Sequence, residues 1–232
     1  NGIAAALGYP AGTKISRDQW NGYHVPNEYV ANFDLVGVDW EATSGFGYNR
    51  EKSDRRAFFY NIGGVEAYDK ANVNSGWRCW KFNSRASDGT LYSTDNYSIF
   101  SSADFPMFRL AEMYLIYAEA QARLDGGTTT DSKAMGYIKE LRDRAGMTTP
   151  SSINLDFILK ERACELMWEG HRRTDLIRYG YFTAMSFPWP YKGGILDGKV
   201  ALPSYRTVYP LLQSDLSENS NLVQNTGYQS NN

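Results

Sequence analysis

The sequence predicts a mainly α-helical fold, with tetratricopeptide-like helical packing beside a loop-rich part that contains only short strands. Residues 107–180 show the apolar periodicity of helices almost throughout. Residues 1–104 are instead rich in Gly, Asn, Asp and aromatic residues, and the chain after about residue 181 is rich in Pro, Gly and Asn. We therefore expect a loop-rich region over 1–104 and a helical region with an irregular tail over 105–232, in one continuous domain.

The first predicted helix runs from about residue 106 to 124. Pro106 suits the first turn, where its missing N–H leaves no hydrogen bond unmade. Two glycines, Gly126 and Gly127, end the helix. Leu115 and Ile116 widen its apolar stripe, so we expect neighbours on two sides. The face itself follows spacings of three and four residues: Leu110, Met113, Tyr114, Tyr117, Ala118 and Gln121.

Three more helices are predicted by their capping residues and periodicity. The second begins at a cap formed by Thr130 or Asp131 and ends at Gly146, and it forms an antiparallel hairpin with the first. The third and fourth span residues 154–168, before Gly170, and 172–179. Paired helices of this size resemble tetratricopeptide packing, but the consensus of that repeat does not recur, so at most one unit is complete.

Residues 1–104 contain two short strand candidates, at residues 56–60 (RAFFY) and 76–82 (GWRCWKF). Loops dense in aromatic residues surround them. The whole chain has 17 Tyr, 11 Phe and 6 Trp, which is more aromatic surface than a disordered chain carries. Some of these rings must fill a core, and the rest are available for surfaces.

Charge and composition exclude several function classes. The chain has 24 basic and 26 acidic residues, a net charge of −2, so it lacks the basic surface expected of a nucleic-acid-binding protein. With only His24 and His171, a histidine-rich metal site is excluded, and no cofactor is expected. Cys79 and Cys164 lack the spacing of zinc or redox sites and are expected to be free, buried thiols. No apolar run approaches the roughly 18 residues of a membrane span.

The sequence contains none of the common catalytic motifs, such as G-x-S-x-G, H-E-x-x-H or a phosphate-binding glycine loop. The residues that most resemble a catalytic cluster are Glu161, Glu165 and Glu169. We interpret them instead as members of structural ion pairs, because carboxylates four residues apart on a helix require basic partners. The expected partners are the nearby arginines: Arg162, Arg172, Arg173 and Arg178. Arg109 with Glu112 and Glu119 with Arg123 are interpreted in the same way.

Four blocks in order over about 125 residues resemble the SusD/RagB family, the surface nutrient-binding lipoproteins of Gram-negative bacteria. Residues 104–120 (DFPMFRLAEMYLIYAEA) resemble the family's signature helix, and residues 137–146 (YIKELRDRAG) its next helix. Residues 161–180 carry the E-R, E-L, E-G-x-R and D-L-x-R-x-G elements, and residues 209–228 resemble the closing segment. The departures are mild and fall at three positions where the family usually has Pro: Leu212, Ser220 and Thr226.

The resemblance implies a superhelix of tetratricopeptide-like helices with a loop-rich, ligand-binding face. It also implies an outer-membrane protein at the cell surface, whose lipid anchor lies outside this chain and whose N-terminal half is missing from it. The implied partners are a glycan or, in some members, a peptide, and a SusC-like TonB-dependent transporter that receives the ligand. The implied function is nutrient binding without catalysis.

Sugars bind proteins by stacking their C–H faces on exposed aromatic rings, with polar side chains around the rim. Among the aromatic loops, those with Gly- and Asn-rich surroundings are the best candidates for such a site. The predicted ligand-binding residues are Trp20, Asn21, Tyr23, His24, Trp40 and Tyr48. The rings expected to pack in the interior are Trp77, Trp80, Phe82, Trp168 and Trp189.

Three hypotheses of function remain open from the sequence. The first is non-catalytic binding of oligosaccharide for delivery to the transporter, with peptide as the alternative ligand. The second is a glycan hydrolase whose carboxylate pair cannot be identified from sequence, because the separation of the two groups in space decides the mechanism. The third is a scaffold in which all the aromatic rings are core.

Overall fold

A computed structural model describes residues 24–42, 44–62, 76–82 and 104–228. The chain divides at Gly170 into two compact units, so the predicted boundary at residues 104 and 105 falls inside the first unit. The helices are α1 (Asn27–Val30), α2 (Leu110–Leu124), α3 (Ser132–Ala145), α4 (Leu155–Glu165), α5 (Arg172–Arg178) and α6 (Gln213–Glu218). The strands are β1 (Ser44–Gly45), β2 (Phe59–Ile62), β3 (Arg78–Cys79), β4 (Thr128–Thr129) and β5 (Ile153–Asn154).

The central part of the first unit is a helical core in which α2 packs against both α3 and α4. Small residues on α2, including Ala111, Ala118 and Ala122, let the helices approach closely around the fully buried Leu115 and Ile138. The opposite face of α2 is apolar as well, and its side chains are exposed among the described residues: Leu110, Met113 and Ile116.

Helix α2 begins at Leu110, four residues after the predicted start at Pro106. Arg109 adopts an extended backbone, with φ −133° and ψ 147°. Its guanidinium donates to the carboxylates of Glu165 and Glu169. The prediction was therefore wrong at this end, because a long-range contact holds Arg109 outside the helix.

Local capping signals predicted α3 correctly. The Asp131 carboxylate accepts a hydrogen bond of 2.8 Å from the Ala134 N–H, and Gly146 ends the helix in the left-handed region with φ 75°. Next to it, β4 pairs antiparallel with β5. The Asn154 side chain then caps α4 by accepting from the Phe157 N–H at 2.8 Å.

Helix α4 ends at Glu165, three residues before the predicted end at Trp168. The carbonyl of Glu165 accepts from Lys81 and Arg109 at 2.7 and 3.0 Å, so it is occupied by side chains from distant parts of the chain. Trp168 follows in the left-handed region with φ 63°, and its side chain is exposed. The prediction that Trp168 belongs to the core was therefore wrong.

A second core of the first unit lies under a small antiparallel sheet of order β1-β2-β3. Of the strand candidates, β2 overlaps the end of 56–60 and β3 lies within 76–82. Trp77 is fully buried, as predicted, whereas Trp80 is half-buried and Phe82 is exposed. Cys79 and Cys164 are free thiols, the first half-buried and the second buried. The buried members of this core are Val25, Val30, Phe33, Ala57, Phe59, Trp77, Cys164 and Met167.

The second unit contains α5, as predicted, and an irregular tail with α6. Arg173 on α5 places its guanidinium over the rings of Phe182 and Tyr209, at 4.7 and 4.1 Å. Trp189 stacks on Phe182 with ring centroids 5.7 Å apart, which agrees with the packing role predicted for it. The tail is held by side-chain bonds to its own backbone, such as Tyr228 to the Val208 carbonyl at 2.8 Å.

Candidate functional site

The strongest candidate site is a short loop of the first unit that presents Trp40. We call it the Trp40 loop, residues 39–42 and 44–47. A hydrogen bond of 2.7 Å from the Asp39 N–H to the Gly47 carbonyl closes it, and a second bond from Asn49 to Val36 lies at its base. The Asp39 carboxylate also accepts from the Glu41 N–H at 3.0 Å. These bonds fix the backbone on both sides of Trp40.

The Trp40 ring rests on a buried neighbour. Trp40 is 37% exposed, and its ring meets Trp77 edge to face, with ring centroids 6.3 Å apart and an interplanar angle of 88°. Trp77 is itself immobilised, because its indole N–H donates to the Asn27 side-chain oxygen at 2.7 Å and its backbone pairs with Val25. Trp40 is therefore an exposed indole on a fixed support.

Further aromatic rings continue from Trp77. Tyr48 lies 6.3 Å from Trp77, and Phe46 lies 6.0 Å from Tyr48 and 5.2 Å from Tyr60. The Arg50 guanidinium is held over Phe46 and Phe58 at 4.7 and 3.9 Å. The arrangement couples the Trp40 loop to the sheet through ring contacts.

Tyr48 occupies a more internal position than its sequence context indicated. Its hydroxyl donates to the Ala57 carbonyl at 2.5 Å and accepts from the Phe59 N–H at 3.1 Å. Burial raises the pKa of Tyr48 to about 12, despite the hydrogen bond that its oxygen accepts from the Phe59 N–H. The phenol is therefore neutral near pH 7 and is engaged with the backbone of β2 and the residues before it.

The other predicted site residues lie close to or outside this region. Trp20, Asn21 and Tyr23 fall outside the described residues. His24 is half-buried and directly precedes Val25, whose N–H and carbonyl bond to Trp77 at 2.7 and 2.8 Å. The structure thus brings Trp40, Tyr48 and the neighbour of His24 together around Trp77.

Two residues of the site were not identified from the sequence. Trp77 was assigned to the core, which is correct, but its role as the support of Trp40 has no sequence signal. Asn27 was not singled out at all. Its contact with Trp77 joins positions 50 residues apart, so only the folded chain reveals it.

The acidic cluster on α4 and after it is an ion-pair network, as interpreted from the sequence, but most of its partners are different. Glu161 accepts from Arg56 and Arg142, and Glu165 from Arg109 and Arg144, at 2.5 to 3.0 Å. Glu169 is held by Lys81 and Arg109. These bases come from distant segments rather than from the arginines nearby in sequence, because folding brings several elements onto one face of α4. The predicted pair of Glu119 with Arg123 does form.

Burial opposes ionisation of Glu169 and alone would raise its pKa, but the hydrogen bonds from Arg109 and Lys81 hold the pKa below its usual value. Burial likewise opposes ionisation of Asp34, and its bonds with Lys160 and Arg142 lower the pKa. Both carboxylates therefore stay charged near neutral pH. Because Glu161, Glu165 and Glu169 are each bound by two or more cations, the network links α4 and the residues after it to distant segments of the chain.

Among the described residues, no group of three or more His, Cys, Asp or Glu side chains is arranged to hold a metal ion. In the same part of the chain, none of the helices has the length and apolarity required to cross a membrane.

Comparison with known proteins shows similarity to the SusD family. The sequence profile of the SusD family matches residues 12–228. The starch-binding protein SusD of Bacteroides thetaiotaomicron is 36% identical over 180 residues, which cover 75% of this chain and 31% of that protein. A SusD-like protein, P38, of Formosa agariphila is 34% identical over 133 residues, 53% of this chain and 24% of that protein.

A solved structure supports the same fold. A SusD superfamily protein from Parabacteroides distasonis superposes with a TM-score of 0.53 at 18% identity, covering 93% of this chain and 46% of that one. This similarity is evidence for the fold alone. The chain spans about a third or less of the curated relatives it matches and about half of the solved chain.

Proposed function

The chain belongs to the SusD family, and we propose that it contributes to non-catalytic binding of oligosaccharide nutrients, with Trp40 as the sugar-stacking ring. The observation that carries the proposal is the exposed Trp40 indole on the immobilised Trp77. A flat ring held in one orientation binds the C–H face of a sugar without first losing side-chain entropy, which raises affinity.

Further residues of the proposed site, some of them not predicted from the sequence, are assigned around this ring. Asp39 and Glu41 flank Trp40, and carboxylates accept hydrogen bonds from sugar hydroxyls. His24 is proposed as a rim residue that donates or accepts a hydrogen bond. Because the Tyr48 hydroxyl is engaged with the backbone, we assign Tyr48 to the support of the site. Trp20, Asn21 and Tyr23 remain predicted contacts from the segment before His24.

We further propose that the full-length protein works at the cell surface. It would be attached to the outer membrane by a lipid and would deliver its ligand to a SusC-like TonB-dependent transporter. Family membership supports these proposals, since the sequence resembles that of surface nutrient-binding lipoproteins. The name of the relative from Bacteroides thetaiotaomicron makes malto-oligosaccharides the first ligands to test.

The absence of catalysis is part of the proposal. The acids that most resembled a catalytic cluster, Glu161, Glu165 and Glu169, are buried and bound by Arg and Lys side chains. A general acid or base must reach the substrate, so carboxylates held in this way are poorly suited to glycoside hydrolysis.

The test is a panel of oligosaccharides and peptides measured by calorimetry, followed by thin-layer chromatography of each ligand that binds. We expect binding of an oligosaccharide with no new product. Product formation would instead support the hydrolase hypothesis, and binding of peptides alone would support the alternative ligand class. Binding of neither would contradict the proposal and favour the scaffold hypothesis.

A further inference from the structure

The contact between Trp40 and Trp77 depends on two residues that do not face the ligand. Gly47 lies on one side of Trp77, and Asn27 lies at its indole nitrogen. Each limits where the Trp77 ring can sit, and Trp77 in turn supports Trp40.

Gly47 is required by space as well as by backbone conformation. Its φ is 62°, in the left-handed region. A Cβ at this position would lie 2.8 Å from the Cη2 atom of Trp77, 3.0 Å from the Ala42 Cβ and 3.1 Å from the Asp39 carbonyl oxygen. Real Cβ atoms do not approach a ring carbon at 2.8 Å, so a side chain here must displace Trp77 or the Trp40 loop.

Asn27 fixes the same ring from its polar edge. The Trp77 Nε1 donates to the Asn27 Oδ1 at 2.7 Å, and Asn27 is the first residue of α1. A buried indole N–H needs an acceptor, because an unpaired N–H in the interior has lost its hydrogen bond to water without gaining another, which lowers the stability of the folded chain. Asn27 therefore selects one orientation of Trp77 among those that the core volume would allow.

We propose that Gly47 and Asn27 are positioning residues for the Trp40 ring: they set the location of Trp77 and through it the angle at which Trp40 meets a ligand. The inference rests on the proposed function of Trp40. The added point is that ligand affinity depends on the residues that pack against Trp77 as well as on the Trp40 ring.

The chain offers a matched control for Gly47. Gly37 has a similar φ of 65° and lies close to the Trp40 loop, but a Cβ there would meet nothing within 4 Å. Ala at either position bears a comparable left-handed backbone strain, and only Gly47→Ala presses on Trp77. We expect Gly47→Ala to weaken oligosaccharide binding about 5-fold or more, since a displaced Trp40 ring loses stacking contact with the sugar. The affinity of Gly37→Ala for the oligosaccharide should stay within about twofold of that of the parent protein.

Asn27 provides a second, independent test. Asn27→Asp keeps an oxygen acceptor for the Trp77 indole, whereas Asn27→Leu removes it at similar size. We expect Asn27→Leu to weaken binding and Asn27→Asp to retain most of the affinity. This pair keeps the inference testable if Gly47→Ala does not fold.

Near-UV circular dichroism of the unliganded protein includes a contribution from the Trp40–Trp77 pair that depends on the mutual orientation of the two indoles, and the difference spectrum against Trp40→Ala isolates it. We expect Gly47→Ala and Asn27→Leu to change this signal, and Gly37→Ala and Asn27→Asp to preserve it. A Trp40→Ala variant is measured in parallel. If Trp40→Ala loses binding while Gly47→Ala matches Gly37→Ala in affinity and dichroism, the positioning roles are wrong and the proposed function stands. If Trp40→Ala binds normally, both are wrong.

Discussion

The first unit contains two regions that use their side chains in opposite ways: the helical core, and the Trp40 loop together with Tyr48 and Trp77, which we call the Trp40 region. Around α4, charged groups bind one another: three buried glutamates are held by cations from distant segments. In the Trp40 region, Trp77 is fully buried and Tyr48 is partly buried, while the Trp40 ring lies at the surface. The first region pairs its charged groups internally, and the second leaves an aromatic ring at the surface.

The two tryptophans of the Trp40 region differ in the same way, although they are neighbours. Trp77 is fully buried and Trp40 is 37% exposed, although their rings are only 6.3 Å apart. Residue type alone therefore does not decide between core and site. Whether each tryptophan is buried or exposed depends on its place in the fold, Trp40 in the loop and Trp77 beneath it. We therefore expect substitution of Trp77 to lower stability and substitution of Trp40 to weaken binding.

The largest effect on stability is expected for Trp77→Ala. Removing a buried indole loses its transfer free energy and leaves a cavity, so the free energy of unfolding should fall by about 3–5 kcal/mol. Thermal denaturation measures it, because each kcal/mol shifts the Tm of a chain of this size by about 2–4 °C. A Tm within 3 °C of the parent protein would contradict the assignment of Trp77 to the core.

The second prediction tests the ion-pair network. Glu161→Gln removes the charge that Arg56 and Arg142 share in the interior, and removing one partner of a buried pair costs about 3–5 kcal/mol. Because Arg56 keeps Asp54 and Arg142 keeps Asp34, we expect a loss near the lower limit, about 3 kcal/mol. Urea denaturation measures this loss.

The matched control for Glu161 is Asp143→Asn, which breaks the pair with Lys139. That pair has the same kind of chemistry, but both side chains are more than half exposed. Exposed pairs contribute little, so the expected change is below about 0.5 kcal/mol. Equal effects of the two substitutions would show that burial does not control the energetics of this network.

The third prediction concerns acid. The pKa values of Asp34 and Glu169 are lower in the folded chain than their usual values, so the unfolded chain binds more protons. Their contribution to stability is present above about pH 4 and is lost as the pH falls through the folded pKa values. The Tm should fall below about pH 4, and Glu169→Gln should reduce that fall. An equal fall in the variant would contradict this role of Glu169.

The helix boundaries illustrate what the sequence can predict. The ends of α3 follow from Asp131 and Gly146, whose effects are local, and both were predicted. The predicted start of α2 and the predicted end of α4 were wrong, because Arg109 and Lys81 contact Glu165 across 56 and 84 residues of sequence. Local signals cannot report a partner that arrives only when the chain folds.

The candidate site was predictable to a similar extent. The Gly- and Asn-rich surroundings of Trp40 indicated an exposed ring, and the structure agrees with that exposure. Nothing in the sequence pairs Trp40 with Trp77 or Trp77 with Asn27, since those contacts join separate segments through the second core. The composition around Tyr48 indicated a surface ring as well, but its hydroxyl is bonded within the interior.

The central claim is that Trp40 binds ligand and contributes little to folding, and Trp40→Ala tests it most directly. Affinity for the oligosaccharide found in the panel and the Tm are measured on the same preparation. We expect binding to weaken about 5- to 150-fold, which corresponds to the loss of a stacking partner worth roughly 1–3 kcal/mol, while the Tm changes by less than about 3 °C. Unchanged affinity together with a fall in Tm of about 6 °C or more would instead make Trp40 a core residue and contradict the claim.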